Sequence, residues 1–263
     1  MAVTATESEL LIARERGVVT LTLNRPHQYN ALTSSLIDEL QGAIDTLGSD
    51  RQVRVIVIGG AGKAFCAGHD LKEMKARREP RVIEDIFARF SQLMLTLTRI
   101  PQPVIARVNG FAFAAGCQLV AQCDLAVAAV TAQFATSGVK YGLFCSTPGV
   151  ALARNLSRKS ALEMLLTGEP IDARGALERG LVNRVVESDA LDEEIARLAQ
   201  SILAKSPVAI GVGKRTFYEQ VDAPLDRAYA IAAQAMANNM MSDDALEGID
   251  AFAQKREPRW TGR

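Results

Sequence analysis

The sequence PVIARVNGFAFAAGCQLVAQCDLAVAAVTAQFATSGV spans residues 103–139 and decides the fold of this chain. It opens with an apolar run from Val104 to Val108, typical of a buried strand, and with the turn dipeptide Asn109-Gly110. Small residues lead into a helical segment from Cys117 to Gln122, and a second apolar run follows from Leu125 to Val130. Amides that begin a helix lack intrahelical acceptors and lie at the positive end of its dipole. The stretch therefore predicts one half of an oxyanion hole.

A second stretch repeats this arrangement and predicts the other half. The run from Val53 to Ile58 has a buried-strand pattern, and the Gly-rich segment GGAGKAFCAGHDLKEM follows it at residues 59–74. A helix is predicted from about Asp70, with Gly68-His69 at the bend before it. Two amides, one from each stretch, could converge on a single carbonyl oxygen and stabilise an enolate or a tetrahedral oxyanion. Taken alone, each stretch also fits an ordinary strand-to-helix turn, which is common in α/β proteins.

Length and charge limit the classes of protein that this chain can be. A chain of 263 residues holds one large α/β domain, or a domain and a half, with a sizeable core. Its 30 basic and 30 acidic residues balance, so no net charge favours nucleic acid or an anionic membrane as a partner. Any anionic ligand must therefore be bound by local features.

Cysteine and histidine content argues against a metal centre or a disulfide framework. The four cysteines lie in apolar or Gly-rich surroundings without CxxC spacing, and the chain has only two histidines. Free thiols in a reducing compartment are the expectation. The opening segment MAVTATESELLIARERG shows no signal-peptide or Arg-rich transit pattern, and no run reaches about 18 apolar residues. These observations predict a soluble, cytoplasmic protein with no membrane partner.

Local signals predict several further elements. Apolar runs at residues 10–14 and 18–23, separated by Arg16-Gly17, predict a β-hairpin. Thr33 is a candidate N-cap for a helix from Ser34 to about Leu47. The charged segment from Lys72 to Arg81, interrupted by a proline, predicts a solvated loop or mobile lid, and a helix follows from Val82 to about Arg99.

The second half of the chain changes in character near residue 187. A short strand is predicted from Leu181 to Val186, and four helical stretches follow from Ser188, with breaks near Pro207, Pro224 and Asp243. No internal repeat or low-complexity segment is visible. We therefore divide the chain into a core domain at residues 1–187, which carries the predicted site, and a helical subdomain at residues 188–263.

The segments AFCAGHDLKEM and VNGFAFAAGCQLVAQCDLAVA resemble the enoyl-CoA hydratase/isomerase, or crotonase, superfamily. The resemblance continues in the same order through LNRPHQYNAL, ALEMLLTGEPIDARGALERGLVNRVV and AFAQKR, so it covers nearly the whole chain. More narrowly, GHDLKE, AAGCQLVA, FATSGV and GLFCSTPGVALAR resemble the branch called enoyl-CoA hydratase domain-containing protein 3. The resemblance implies an α/β fold, the crotonase (ClpP-like) spiral of ββα units with a C-terminal helical trimerisation subdomain, and a place in fatty acid metabolism.

The resemblance also implies residue roles. The amides of His69 and Ala115 would form the oxyanion hole for the thioester of an acyl-CoA substrate, so coenzyme A enters as part of the substrate and no separate cofactor is expected. Assembly into a homotrimer or a dimer of trimers is implied as well. Residues implied to contact CoA are His27, Gln28, Tyr29, Ala67, Gly68 and Leu71, with Phe252 and Lys255 covering the CoA of a neighbouring subunit. From the sequence alone, a solvated loop histidine is the better interpretation of His27, and Lys255 also fits an ordinary surface lysine.

The chain departs from the family pattern at the two positions where hydratases carry glutamates. Those positions are Gln118 and Gly138. Hydration needs a general acid and base, whereas Gln118 cannot titrate and Gly138 has no side chain. Gln118 could still orient a water or a substrate group, so it remains a candidate catalytic residue. Ordinary hydration by the two-glutamate route is therefore expected to be weak or absent. The loss of proton transfer typically lowers the rate by a factor of about 10² to 10⁴.

Other polar residues could replace the missing pair. The His69 side chain stands beside the predicted carbonyl site and could titrate near neutrality. Cys145 is a candidate pocket residue beside Gly138, although a plain buried thiol is the alternative. Asp70 is predicted to cap a helix, and Asp124 to be structural.

Three functions remain open from the sequence. The chain could be a crotonase-family lyase with residual or altered activity towards acyl-CoA. It could be a decarboxylase or thioesterase that combines the oxyanion hole with His69. It could also bind acyl-CoA without catalysis.

Overall fold

A computed structural model describes residues 8–263 of the chain. Residues 1–7 lie outside the described part, and they include the first seven residues of the opening segment on which the predicted absence of a targeting sequence rests. The strands are β1 (Leu10–Glu15), β2 (Val18–Leu23), β3 (Val55–Gly60), β4 (Ala64–Cys66), β5 (Val104–Val108), β6 (Phe111–Phe113), β7 (Leu125–Ala129), β8 (Gln133–Ala135), β9 (Ile171–Asp172) and β10 (Arg184–Val186).

The helices begin and end as follows: α1 (Ser34–Gly48), α2 (Leu71–Ala76), α3 (Pro80–Arg99), α4 (Ala115–Gln122), α5 (Ser146–Asn155), α6 (Arg158–Thr167), α7 (Ala173–Glu178), α8 (Leu191–Leu203), α9 (Pro207–Gln220), α10 (Leu225–Met240) and α11 (Asp243–Ala253). Within residues 8–263, none of these helices is long and apolar enough to cross a membrane.

The larger sheet has six strands in the order β1-β2-β3-β5-β7-β10. The β1–β2 pair is the predicted hairpin, and its Arg16-Gly17 turn has positive φ at both residues (45° and 84°). The other strand pairs of this sheet are parallel. β3 is buried along its whole length, as expected for a parallel strand that is covered on both faces. The mixed α/β class predicted from the sequence is confirmed.

The smaller sheet has the order β4-β6-β8-β9, and its first three strands are parallel. Three times in succession, a strand of the larger sheet is followed by a strand of the smaller sheet and then by a helix: β3-β4-α2, β5-β6-α4 and β7-β8-α5. These are the ββα units that the family resemblance implies. The sequence shows no repeat because each unit shares only the order of its elements.

Helix starts agree with the predicted caps, but the predicted lid is wrong. The Thr33 hydroxyl accepts a hydrogen bond from the amide of Leu36, and the Asp70 carboxylate accepts from the second and third residues of α2. Part of the segment from Lys72 to Arg81 therefore lies in α2, and Pro80 begins α3, where its missing N–H costs nothing. An apolar stripe on α3, which includes Ile86 and Phe90, packs on the core and holds this region in place.

The four C-terminal helices α8 to α11 confirm the predicted breaks. α8 covers the outer face of the larger sheet, where Leu191, Ile195 and Leu198 pack on Val55 and Ile105. α9, α10 and α11 contact one another. The sheet therefore depends on a helix beyond residue 187, and the division into two domains at that residue stays a prediction.

Asp124 has the structural role that the sequence predicts. Its carboxylate accepts hydrogen bonds from the Val104 amide (2.7 Å), the Lys214 ammonium (2.6 Å) and the Tyr218 hydroxyl (2.8 Å). Lys214 also donates to the carbonyls of Leu97 and Gln102. This buried cluster ties α9 to the start of β5, at the opposite end of β5 from the predicted site.

Candidate active site

The predicted site lies where three parallel strands of the smaller sheet end. His69 follows β4, Ala115 follows β6, and the segment from Thr136 to Gly138 follows β8. The carboxyl ends of parallel strands lie at the same edge of a sheet, and β6 is the middle strand of the three. The start of α4 is therefore flanked by His69 on one side and by Gly138 on the other.

The amide of His69 points away from the loop beside it. Leu32 pairs with both neighbours of His69, because its amide donates to the Gly68 carbonyl (2.8 Å) and its carbonyl accepts from the Asp70 amide (2.8 Å). In such a parallel bridge the amide of the central residue, His69, faces the other side. That amide finds no acceptor anywhere in residues 8–263. The residue before it, Gly68, has a φ of 100°, which favours glycine.

The amide of Ala115 is free for a similar reason. Ala115 is the first residue of α4, where an amide has no intrahelical acceptor, and within the described chain it donates to no other group. Ala114 before it has a φ of 48°, which is unfavourable for a residue with a β-carbon. The Ala114 amide donates to the Ala135 carbonyl (2.8 Å) and fixes this turn against β8.

The two segments touch each other through main chain. A β-carbon built on Gly68 would lie 3.3 Å from the Ala115 nitrogen and 3.0 Å from the Ala114 β-carbon. A β-carbon on Gly116 would overlap the Cys66 carbonyl oxygen. Glycine at both positions therefore allows the close approach. The structure brings the two segments that carry the predicted amide donors together, while their catalytic role stays a prediction.

The side chain of His69 does not have the properties predicted for it. Its ring packs edge-on against Phe87 and Phe90, with centroid distances of 5.2 Å and 5.0 Å. Its Nε2 is buried and has no hydrogen-bond partner within the described residues. Burial lowers the pKa of His69 to about 4, against a smaller opposing effect of Glu73. The prediction of titration near neutrality is therefore wrong, because α3 surrounds the ring with apolar groups.

Gln118 lies on the first turns of α4, next to the Ala115 amide. Its main-chain amide donates to the Ala114 carbonyl (3.0 Å), so Gln118 is one helical turn from the start of α4. Only 3% of Gln118 is exposed, and its Oε1 has no partner in the part of the chain that the structure describes. A neutral amide at this place can orient a polar group but cannot exchange a proton at ordinary pH.

Gly138 faces a wall that the sequence does not reveal. A β-carbon on Gly138 would lie 2.5 Å from the Leu143 carbonyl oxygen and 2.7 Å from the Cys145 sulfur. Cys145 is 8% exposed, and burial raises the pKa of its thiol. A carboxylate at position 138 therefore has no space in this structure. The local sequence signal for this arrangement is Gly142, whose φ of 74° allows the chain to turn between Gly138 and Leu143.

The predicted CoA-binding residues of the first half lie on neighbouring loops. The Tyr29 carbonyl accepts a hydrogen bond from the Ala67 amide (3.0 Å), which joins the loop of residues 26–29 to the loop before Gly68. Tyr29 and Leu71 are 52% and 50% exposed. His27 and Gln28 belong to the short 3₁₀ turn Pro26–Gln28 beside them. These six residues therefore lie on two segments that are joined by this hydrogen bond.

Two residues that the sequence analysis did not single out hold these loops together. Asn30 is fully buried, accepts from the Arg25 amide, and donates to the carbonyls of Ala61 and Ala64 (both 2.9 Å). Arg25 pairs with Asp70 at 3.1 Å, the residue that caps α2. An asparagine in a Pro-containing loop, with a φ of 56°, is the local signal that could have indicated this role.

Phe252 and Lys255 lie far along the chain from these loops, at the end of α11 and just after it. Phe252 is 87% exposed, and Lys255 is exposed as well. Both are therefore accessible in the single chain, and their predicted contact with a neighbouring subunit stays untested.

The repeated ββα units and the two sheets define a class of α/β proteins, the crotonase fold. The chain belongs to the enoyl-CoA hydratase/isomerase family, because the sequence model of that family matches residues 13–263. The rat protein named enoyl-CoA hydratase domain-containing protein 3, mitochondrial, is 44% identical over 256 residues, which are 97% of this chain and 85% of that protein.

Solved structures agree with this assignment. A protein described as enoyl-CoA hydratase from Mycobacterium smegmatis superposes with a TM-score of 0.95 at 55% identity, over 97% of this chain and 99% of that chain. Human enoyl-CoA hydratase domain-containing protein 3 superposes with a TM-score of 0.94 at 44% identity, over 96% and 100% of the two chains. The predicted family, branch and fold are confirmed.

One prediction is contradicted by these comparisons. The cytoplasmic location expected from the N-terminal sequence disagrees with the name of the rat relative, which is a mitochondrial protein. The sequence pattern of the first residues was therefore an inadequate basis for a location.

Proposed function

We propose that this protein binds acyl-CoA thioesters and holds the thioester carbonyl oxygen between the amides of His69 and Ala115. The observation that supports the proposal is a pair of amides that have no acceptor among residues 8–263, on two touching main-chain segments, each preceded by a residue with positive φ. Hydrogen bonds to the carbonyl oxygen stabilise the enolate that forms when charge moves from the α-carbon, and one such donor is typically worth about 3 kcal/mol. Coenzyme A enters as part of the substrate.

The CoA portion would bind along the opening formed by residues 26–29 and 67–71. The exposed side chains of Tyr29 and Leu71 offer apolar surface for the adenine and pantetheine groups, and the adjoining main chain offers polar groups. The bond between Ala67 and Tyr29 and the buried amide of Asn30 fix the two loops relative to each other. A preformed opening lowers the entropic cost of ligand binding.

Ordinary hydration by this protein would be weak or absent. Water addition to an enoyl thioester needs a base for the water and an acid for the α-carbon. Gln118 provides neither, and no side chain can extend from Gly138 without displacing the Leu143 carbonyl. The two acidic residues that follow His69 have other partners. Asp70 caps α2 and pairs with Arg25, and Glu73 accepts a hydrogen bond from the Ser34 amide.

A second candidate function, acyl-CoA binding without turnover, is favoured by the same lack of proton-transfer groups. The alternative of a decarboxylase or thioesterase that depends on a titrating His69 has less support. The ring of His69 is neutral above a pH of about 4 and packs between Phe87 and Phe90.

Assembly of three copies, or of six, is part of the proposal. Large apolar side chains are exposed on the C-terminal helices, and a groove of about 560 Å³ between α9 and α10 is lined mainly by apolar groups. Exposed apolar patches of this kind mark interfaces. The side chains concerned are Phe217, Leu225, Tyr229, Met236, Met240 and Phe252. A molar mass in solution equal to one copy would contradict the assembly.

Binding and polarisation can be tested without turnover. Butyryl-CoA is saturated, and a ¹³C label at its thioester carbonyl reports the hydrogen bonds to that oxygen. We expect calorimetry to detect binding, and we expect a downfield ¹³C shift together with a lower carbonyl stretching frequency on binding. Binding without a shift would contradict the placement of the carbonyl between the two amides.

Turnover separates the two candidate functions. Crotonyl-CoA loses its conjugated absorbance when it is hydrated, and a thiol reagent detects hydrolysis. Slow loss of absorbance that depends on the protein would support a crotonase-family lyase with weak hydration. Stable binding with no product, in a preparation that polarises the butyryl carbonyl, would support the non-catalytic function. Hydration as fast as that of a two-glutamate hydratase would contradict the role assigned to Gln118 and Gly138.

A further inference from the structure

The side of the site opposite His69 is formed by residues 138–145, which we name the 138–145 turn. The Leu143 amide donates to the Gly138 carbonyl (3.0 Å), and the Gly142 amide donates to the Val139 carbonyl (3.2 Å). Gly142 supplies the positive φ that lets the chain reverse. The turn therefore returns to its own beginning and places Leu143 and Cys145 against Gly138.

The Cys145 sulfur occupies the place where a side chain on residue 138 would begin. Ordinary van der Waals contact of a β-carbon starts at about 3.4 Å, yet a β-carbon on Gly138 would lie 2.7 Å from this sulfur and 2.5 Å from the Leu143 oxygen. Because the second neighbour is main chain, no rotation of a side chain can relieve the overlap. Glycine at position 138 is therefore required by the closed turn.

The thiol also lies beside the first turn of α4. Burial raises the pKa of the Cys117 thiol to about 12, and the proximity of Cys145 adds to this rise. Cys117 is the third residue of α4, so the Cys145 thiol lies near the helix start that carries the Ala115 amide.

Two buried polar atoms in this region indicate that a ligand completes it. The Gln118 Oε1 and the Thr136 Oγ1 have no partner among residues 8–263, although their residues are 3% and 0% exposed. An unpaired buried polar atom typically costs about 1–3 kcal/mol, so such atoms usually face a ligand or ordered water. Thr136 lies two residues before Gly138, and Gln118 is the fourth residue of the adjacent helix α4.

We propose that Cys145 is a specificity-determining residue, because its thiol, held against Gly138, forms the wall on which the first carbons of the acyl group pack. The inference rests on the proposed function, since it places the thioester carbonyl at His69 and Ala115. The wall fills the space in which a carboxylate and its water would stand, so the site takes small acyl groups and excludes water from the β-carbon. Cys145 acts through its size and not as a nucleophile.

Selective alkylation tests whether the acyl group lies against Cys145. The protein is treated with N-ethylmaleimide alone, with saturating acetyl-CoA, or with saturating butyryl-CoA, and each cysteine is followed by peptide mass spectrometry. We expect butyryl-CoA to slow the labelling of Cys145 several-fold more than acetyl-CoA does. Cys123 is the matched control, because it is buried to the same extent (7% exposed) but lies at the far end of α4. Its labelling should differ little between the two ligands.

The outcomes distinguish the two proposals. Calorimetric binding of butyryl-CoA with equal Cys145 labelling in both ligands would overturn the role of Cys145 and leave the proposed function intact. No binding of either acyl-CoA would overturn the proposed function, and the present inference with it.

Substitutions at Cys145 give an independent measurement. The ratio of Kd values for acetyl-CoA and the branched isobutyryl-CoA is measured for Cys145→Ala and Cys145→Val. One methylene in an apolar pocket changes selectivity by about tenfold or more. We therefore expect Cys145→Ala to improve isobutyryl-CoA binding relative to acetyl-CoA by about tenfold, and Cys145→Val to weaken it.

Matched changes at Cys123 control for general effects on folding. Cys123→Ala and Cys123→Val should leave the ratio of Kd values unchanged. If Cys145→Val fails to fold, the Cys145→Ala ratio and the alkylation rates still decide. An unchanged ratio in a folded Cys145→Ala protein would overturn the inference.

Discussion

The two sides of the candidate site are built by different means. The side of His69 and Ala115 consists of main chain, and its shape depends on glycines at positions 68 and 116 and on positive φ at Gly68 and Ala114. The opposite side depends on side chains, where the Gln118 amide is buried and the Cys145 thiol lies against Gly138. Under the proposed function, the main-chain side would bind the carbonyl and the opposite side would determine proton transfer, so the two properties would belong to separate segments.

The main-chain side should be the more sensitive to added volume. A methyl group on Gly116 would overlap the Cys66 carbonyl and push α4 away from the segment that carries His69. Overpacking of this kind costs about 1–3 kcal/mol of folding stability. We expect Gly116→Ala to weaken butyryl-CoA binding by about 100-fold, equivalent to about 3 kcal/mol, because the two amides can no longer both reach the carbonyl oxygen and each neutral hydrogen bond is worth up to about 1.5 kcal/mol. Calorimetry and urea unfolding measure the two effects.

Gly42→Ala is the control for this change. Gly42 also lies within a helix, but a β-carbon there meets no heavy atom within 4 Å, so the change should preserve binding and raise stability slightly. Unchanged binding in Gly116→Ala would show that the separation of the two segments does not matter for the ligand.

The buried ring of His69 should make folding sensitive to acid. Its pKa is about 4 in the folded chain and about 6.5 when unfolded, so the unfolded state binds the proton first as the pH falls. Folding stability is therefore full above a pH of about 6.5 and decreases down to about 4, by up to about 3 kcal/mol. Replacing the ring by His69→Phe should remove this dependence. Urea unfolding at several pH values measures it.

His27→Phe is the control for His69→Phe. His27, the other histidine, lies on the exposed loop before Tyr29, so His27→Phe should leave the acid dependence intact. An equal loss of stability between pH 6.5 and 4 in wild type and His69→Phe would mean that other groups account for it.

The side-chain half of the site could be read only in part from the sequence. The absence of carboxylates at positions 118 and 138 is visible in the letters. The closure of position 138 is not visible, because it depends on the return of the Leu143 carbonyl through a turn. The low pKa of His69 was missed for a similar reason, since Phe87 and Phe90 reach it from α3, beyond a segment that composition alone assigned to a loop.

Elements with local signals were predicted well. The Arg16-Gly17 turn, the Thr33 cap and the proline breaks in the C-terminal half are each encoded within a few residues, so the sequence predicts them correctly. The cap at Asp70 is predicted correctly, but the lid prediction failed at Lys72–Arg81 because a dense run of charges does not prevent helix formation in α2, and Pro80 begins α3. The Asp70 carboxylate is visible in the sequence, but its bond to Arg25 depends on the tertiary fold.

A methyl group added at position 138 tests how tightly the side-chain half of the site is packed. We expect Gly138→Ala to destabilise the protein by about 2 kcal/mol, because the turn must move away from the added methyl group. The same movement should expose Cys145 and speed its alkylation, while Cys123 keeps its rate.

Adding carboxylates with Gln118→Glu and Gly138→Glu should give no efficient hydration of crotonyl-CoA, since the second side chain cannot enter the site. Rapid hydration by the folded double variant would disprove the steric closure.

The smallest expected effect concerns the cap that supports the main-chain side. Asp70 accepts from the first turn of α2 and pairs with Arg25, and these hydrogen bonds lower the pKa of its carboxyl group although burial opposes them. Asp70→Ala should cost about 1 kcal/mol of stability through loss of the cap. Asp70→Asn keeps a capping oxygen and should lose less. Because His69 precedes Asp70 directly, Asp70→Ala should also weaken butyryl-CoA binding by a few-fold more than Asp70→Asn does. Equal stability and equal binding in the two variants would mean that the Leu32 bridge alone holds the His69 amide in place.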